Sequence, residues 1–196
     1  FFGYSQQEVV QDFESSPQIA GFEGLGSAAV VDDPTGSGNG KVFELVTNPG
    51  GNPWQGAEVE LADDSALDLT SDITISVDVY SDVTFYPMGK VESSEGAPAS
   101  ANTQTHTGSG WETLTYTFNT GSDSTNPANG TYTKVVFFPN RNAADDGWSS
   151  PIIDDTFLFD NITGMKTTVG GGGGGGSTDN PPTASAPTPP GRPAGS

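Results

Sequence analysis

The sequence predicts an all-β fold, a β-sandwich of jelly-roll type followed by a disordered C-terminal linker. Three observations carry this reading. Apolar residues recur with a period of two in many short segments, and those segments are divided by turns rich in Asp, Gly, Ser, Pro and Asn. No window of about a dozen residues shows a helical apolar stripe. Alternation marks a strand with one dry face, and many such strands between Gly/Pro-rich turns fit a sandwich or jelly roll.

The segments follow in order. GKVFELVTN (40–48) directs either Val42 or Phe43 to the core, and alternation does not choose between them. GAEVELA (56–62) turns Val59 and Leu61 inward. DITISVDVYSD (72–82) is the clearest case, with Ile73, Ile75, Val77 and Val79 on one face and Thr74, Ser76, Asp78 and Tyr80 on the other. VTFYPMGKVE (83–92) supplies Phe85 and Val91, and WETLTYTFNT (111–120) supplies Leu114, Tyr116 and Phe118. YTKVVFFPN (132–140) adds Val135 and Phe137, and DTFLFDNITG (155–164) adds Phe159. There is no internal repeat.

The seven glycines from 170 to 176 and the following STDNPPTASAPTPPGRPAGS break this pattern. A glycine run loses much entropy on ordering, and the Pro/Ala/Ser/Thr stretch has little to bury. The division expected is a module over 1–169 and a linker over 170–196 that leads to a further module. FFGYSQQ at the start reads as a leader remnant that packs on the module or frays.

The 196 residues carry a net charge of −19, from 6 basic and 25 acidic side chains. That balance repels nucleic-acid phosphates and anionic membranes and disfavours polyanionic ligands. The chain has no cysteine, which excludes disulfides, thiolate metal sites and cysteine nucleophiles. No stretch approaches the ~20 apolar residues that span a bilayer. An acidic surface of this kind suits a secreted or cell-surface setting.

QDFE, GNGKVFELVTNPGGNPWQGAEVEL, ITISVDVYSD…GKVE, GWETLTYTFN, YTKVVFFPN and FLFDNITG occur in this order across residues 10–165. Together they resemble the β-jelly-roll carbohydrate-binding modules related to families 4, 9 and 22, above all those appended to laminarinases and surface glycan-binding proteins of marine Bacteroidetes. The closing PPTASAPTPPGRPAGS resembles the spacer between tandem modules. RNAADDGWSSPIIDD departs from the pattern as an inserted loop before the last strand.

The resemblance implies a sandwich that binds a β-linked glucan on its side or concave face and holds a structural calcium. In such modules a glutamate of the first strand and an aspartate of the last meet across the sandwich. The matching positions are Glu14 and Asp160, with carbonyls around Asp12 and Lys41 completing the shell. Calcium takes about six to eight oxygens from carboxylates, carbonyls and water. Without the resemblance, Glu14 and Asp160 read as solvated residues of an acidic chain. DDPTGSGNG (32–40) lacks the closing glutamate of an EF-hand loop and is not one.

Flat rings stack on the C–H-rich faces of sugars and have little conformational entropy to lose. The candidates for such contacts are Trp54, Tyr86, Trp111 and Trp148. Trp54 lies in the turn NPGGNPWQG, either as a platform for ligand or as a plug at the loop-to-strand junction. Trp111 is out of phase with Leu114, Tyr116 and Phe118, so it faces outward or caps the core. Tyr86 shares its parity with Lys90 and Glu92, a stripe fit for a ring and its hydroxyls or for an ordinary solvated face. Trp148 in DDGWSS has no apolar neighbours in sequence and reads as a ligand contact, with Arg141 and Asn142 as hydrogen-bond donors beside it. His106, the one histidine, reads as a solvated loop residue.

A glycosidase needs two carboxyl groups flanking the scissile bond, typically ~5–9.5 Å apart. The Glu-x-Asp-x-x-Glu arrangement of jelly-roll laminarinases is absent, and EVEL offers only Glu58 and Glu60. One histidine and six basic residues leave little for a lyase. The expectation is a non-catalytic module for a neutral β-glucan such as laminarin. The alternative is a calcium-stiffened structural or adhesion spacer of a multimodular surface protein.

Overall fold

The computed structural model describes residues 6–62, 64–93, 96–119 and 121–168. The expected linker over 170–196 and the first five residues lie outside the described residues. In chain order the strands are β1 (Gln7–Gln11), β2 (Ile19–Phe22), β3 (Ser27–Asp32), β4 (Lys41–Val46), β5 (Gly56–Glu60) and β6 (Ser65–Asp68). There follow β7 (Thr74–Ser81), β8 (Met88–Glu92), β9 (Ser100–Thr103), β10 (Gly110–Thr117), β11 (Thr131–Tyr132), β12 (Lys134–Phe138) and β13 (Thr156–Thr168). A single 3-10 turn at Ser122–Ser124 interrupts the β structure among the described residues.

Alternation becomes burial most plainly in β7, where half-buried and buried residues take turns along the whole strand. β7 pairs antiparallel with β10 and β13. The sheet continues to β4 and β3, with β1 on β13 and β6 between β13 and β11. The second sheet runs β2-β5-β12-β8-β9, also antiparallel. β13 serves four partners because a register shift between Asp160 and Thr163 bends it, with Asn161 left-handed at φ 47°. Asparagine tolerates that conformation, and a bulge re-aims the strand beyond it.

The inner faces meet through phenylalanines. Phe43 of β4 and Phe159 of β13 come from one sheet and Phe137 of β12 from the other. Phe159 stacks on Phe137 with centroids 4.4 Å apart and on Phe43 at 5.5 Å. This settles the choice left open in β4. Phe43 joins the core, whereas Val42, also buried, lies on the opposite face of the strand.

Two segments differ from the alternation reading. VTFYPMGKVE is not one strand, because Pro87 has no N–H to give and β8 starts at Met88. Phe85 and Tyr86 keep only single bridges, to His106 and Asn140. YTKVVFFPN is split at Thr133, with β11 on β6 in the first sheet and β12 in the second. The chain crosses between sheets there.

Candidate functional site

The outer face of the five-stranded sheet is built in rows by strand register. One row holds Glu60, Lys134 and Glu92, and the next holds Ala20, Glu58, Val136, Lys90 and Ala101. Its charges are paired with one another. Lys134 Nζ lies 2.6 Å from Glu58 and 3.5 Å from Glu60, and Lys90 Nζ lies 2.6 Å from Glu92. The hydrogen bond to Glu58 holds the Lys134 ammonium above its ordinary pKa, against a smaller opposing effect of burial. Glu58 and Glu60 are thus the two arms of one lysine clamp.

The other end of this face is aromatic. Phe22 and Phe138 meet edge-on at 5.3 Å, Phe138 lies 5.7 Å from Trp148, and the Arg141 guanidinium sits 4.9 Å from the Trp148 ring centroid. Gly56 makes this possible, since a Cβ there would fall 2.9 Å from Phe22 Cζ and 2.4 Å from the Phe137 carbonyl oxygen. Trp54, two residues before Gly56, is 44% exposed.

The plug in the Trp54 turn is Gln55, which is fully buried. Its Oε1 accepts from Asn48 N–H at 2.8 Å, and its Nε2 donates to the carbonyls of Asn48 and Asn52 at 2.9 and 3.1 Å. A glutamine has both a donor and an acceptor to satisfy turn backbone, which an indole lacks. Trp54 is therefore left free at the surface.

Asn140, fully buried just past β12, gathers the loops. Its Nδ2 donates to Pro53 and Ser149 carbonyls at 3.2 and 3.4 Å, its Oδ1 accepts from Ile153 N–H at 3.2 Å, and Tyr86 bridges to its backbone. The segments bearing Trp54, Tyr86 and Trp148 thus converge on one residue.

Arg141 is not the free donor expected. It is 3% exposed, with Nε donating to Asp145 Oδ1 at 3.0 Å and a terminal nitrogen to the Asp145 carbonyl at 2.7 Å. Asp145 also accepts from Thr103 and Ser122 hydroxyls, each at 2.6 Å. Burial works to raise the Asp145 pKa, but the hydrogen bonds from Ser122, Thr103 and Arg141 hold it below the ordinary value. Arg141 is thus held against the Trp148 ring by Asp145. Asn142 is likewise engaged, its amide on Asp146 at 2.8 Å. A cleft of about 410 Å³ opens beside this network, lined by Asn102, Ser122, Asp123, Arg141, Asp145 and Asp146 among others.

Trp111 belongs elsewhere. It pairs with Tyr80 across β10 and β7, so it faces outward from the eight-stranded sheet and does not join Trp54 and Trp148. His106 is fully buried, against the expectation of a solvated loop. Its Nδ1 accepts from Gly108 N–H at 3.0 Å, which leaves Nε2 to donate to the Val79 carbonyl at 3.0 Å. Gly108 fits because its φ is +84° and a Cβ would fall 2.6 Å from Val83 backbone carbon.

The expected calcium ligands take the following positions. Asp160 is 2% exposed, and its carboxylate accepts from the backbone N–H and the amide of Asn161. Burial pushes its pKa up to about 7, with Asp78, Asp12 and Glu14 adding to the rise. Glu14 Oε1 accepts from Lys41 N–H at 2.7 Å, Asp12 Oδ1 accepts from Glu14 N–H at 3.2 Å, and the Lys41 ammonium pairs with Asp32. No group of three His, Asp or Glu side chains close enough to hold a metal occurs among the described residues.

No protein-family model matches the sequence, and no curated protein does. Solved structures do. A family 11 carbohydrate-binding module of Clostridium thermocellum, in complex with a β-1,3-1,4-mixed-linked tetrasaccharide, aligns with a TM-score of 0.51 at 19% identity over 82% of this chain and 96% of its own. The family 11 module of the cellulosomal cellulase Lic26A-Cel5E of the same organism gives 0.51 at 19%, over 85% and 97%. The chain has the jelly-roll fold of carbohydrate-binding modules. An exo-β-agarase contains it too, with a TM-score of 0.53 at 12% identity over 83% of this chain and 25% of the enzyme.

Proposed function

We propose that the protein is a non-catalytic carbohydrate-binding module that takes a neutral β-glucan, laminarin-like β-1,3-glucan first, on the outer face of its five-stranded sheet. The observation that carries this is the aromatic end of that face, where Trp148 is braced by Phe138 and Arg141 and the turn bearing the exposed Trp54 is tied in through Asn140. Rings held in place beside paired carboxylates and lysines suit a polyol that stacks and hydrogen-bonds. The mixed-linkage ligand of one family 11 structure supports a glucan but leaves the linkage open. The narrower kinship with families 4, 9 and 22 rests on the ordered sequence motifs, as do the extracellular setting and the tether to further modules. The pairing of both Glu58 and Glu60 with Lys134 supports a binding role, since a glycosidase needs two carboxyl groups free to flank the scissile bond.

Retention in laminarin- or mixed-linkage-glucan-containing gels without release of reducing sugar is the expected result. Sugar release would make the protein an enzyme, and free migration through every glucan would leave a spacer.

The same reading includes a structural calcium held by Asp160 and Glu14, with Asp12 and Lys41 carbonyls. The donor chemistry fits, because Asp160 is a buried carboxylate among acidic neighbours with no cationic partner among the described residues. A hard divalent cation would offset that charge and fasten the first strand segment to the last. Binding to the native state alone stabilises by about 2.7 kcal/mol at a hundredfold excess over Kd. The melting temperature is therefore expected to rise with calcium and fall with chelator, and Asp160→Asn to lose that response. Superimposable melting curves with and without chelator would remove the calcium from this reading.

A further inference from the structure

The outer face of the eight-stranded sheet carries a second aromatic cleft, remote in strand order from the first. Ser37, Asn39, Asp78, Trp111, Glu112 and Thr113 line a volume of about 260 Å³. The Trp111 ring lies 5.6 Å from the Tyr80 ring. Its orientation is fixed by a relay in which Trp111 Nε1 donates to Thr35 Oγ1 at 3.0 Å and Thr35 Oγ1 donates to Asp33 Oδ1 at 2.6 Å.

The rim is equally braced. Asp33 also accepts from the Ser37 hydroxyl at 2.7 Å and the Asn39 N–H at 3.4 Å, so one carboxylate folds the loop 33–39 over the sheet. Behind the ring, Glu112 shares the inward parity of Leu114 and Tyr116 and accepts from Thr107 and Ser109 N–H groups at 3.1 and 3.3 Å, which braces the start of β10 from the other side of the sheet. Asp78 is held by the Thr113 hydroxyl and by the Asn161 amide at 3.1 Å. Asp78 keeps acceptor capacity beyond its two bonds, since a carboxylate has about four lone-pair sites. A site whose side chains are already locked loses little entropy when filled.

We infer that this cleft is a second saccharide site, independent of the first, for one or two rings of a neutral sugar stacked on Trp111 with hydroxyls donated to Asp78. Neutrality follows from the lining, in which the Asp78 carboxylate shares the Trp111 face and no basic side chain occurs. The volume falls just below the ~300–1,000 Å³ typical of small-molecule pockets, which limits the occupant to a short oligosaccharide. The ligand class rests on the same ring-and-polar-group chemistry as the first site, but no residue is shared with it. Two sites on opposite sheets would let one module bridge neighbouring glycan chains, with avidity gained from each single engagement.

The three tryptophans give three indole N–H signals, so one titration reads both faces. The full chain, ¹⁵N-labelled, is titrated with laminaritetraose, β-1,3-1,4-glucotetraose, xylotetraose and mannotetraose. The same series is run on the double variant Trp54→Ala/Trp148→Ala, in which only Trp111 reports. The expected result is a saturable shift of the Trp111 signal with at least one sugar in both proteins, weakened at least about fivefold by Asp78→Asn, a hot-spot-sized loss. Shifts confined to Trp54 and Trp148 overturn the second site and leave the first. A Trp111 signal that moves alone upholds it while the first face fails. A Trp111 signal that is static, or drifts without saturating, with every sugar overturns it.

Discussion

Phe159→Ala is expected to destabilise the fold by about 3–5 kcal/mol, as large truncations in well-packed cores do. Phe159 is fully buried and stands between Phe137 at 4.4 Å and Phe43 at 5.5 Å, so its ring joins both sheets. Removing it takes away a large transferred area and leaves a void walled by two rings that belong to different sheets. Strand hydrogen bonds fix the positions of β13 and β12, which limits collapse into that void. For a domain of this size, one kcal/mol moves the melting temperature by roughly 2–4 °C, so a fall of about 6–20 °C follows. Thermal unfolding of the variant beside the parent measures it. A fall of under about 3 °C would mean that the sheets repack, and that the stack is not the centre of the core.

That core was legible because burial in a sandwich follows local alternation. Each inward residue read around β5, β7, β10, β12 and β13 is buried except Ile73, just before β7, which is half-buried against the core. Strands β2, β3, β6 and β9 were not legible. IAGF, SAAVVD, SALD and SANT hold few large apolar residues, and their partners rather than their own pattern make them strands. The site divides the same way. Phe138 on the outer face followed from the parity of Phe137, had the FF pair been carried one residue further. The separation of Trp111 from Trp54 did not, because alternation tells in from out but never which sheet a strand joins. Gln55, Asn140 and His106 were opaque for another reason. A buried polar residue has the same letter as an exposed one, and only its partners reveal it.

Trp54→Ala and Trp148→Ala are each expected to weaken glucan binding at least about fivefold, about 1 kcal/mol of lost ring contact. Their stabilities should differ. Trp54 is 44% exposed and its turn is held by Gln55, so its loss should leave stability within about 0.5 kcal/mol. Trp148 packs on Phe138 and Arg141, and losing those contacts should cost about 1 kcal/mol. The double variant should bind about 25-fold or more weakly if the rings contact separate parts of the ligand, because independent contacts add. Calorimetric titration with laminarin or mixed-linkage glucan, next to melting curves, reads both quantities. If the double variant binds no worse than either single one, the two rings grip one sugar unit together. If all three bind as the parent does, the aromatic end of this face is not the site, and Tyr86 with Lys90 and Glu92 of β8 becomes the surface that must carry the glucan.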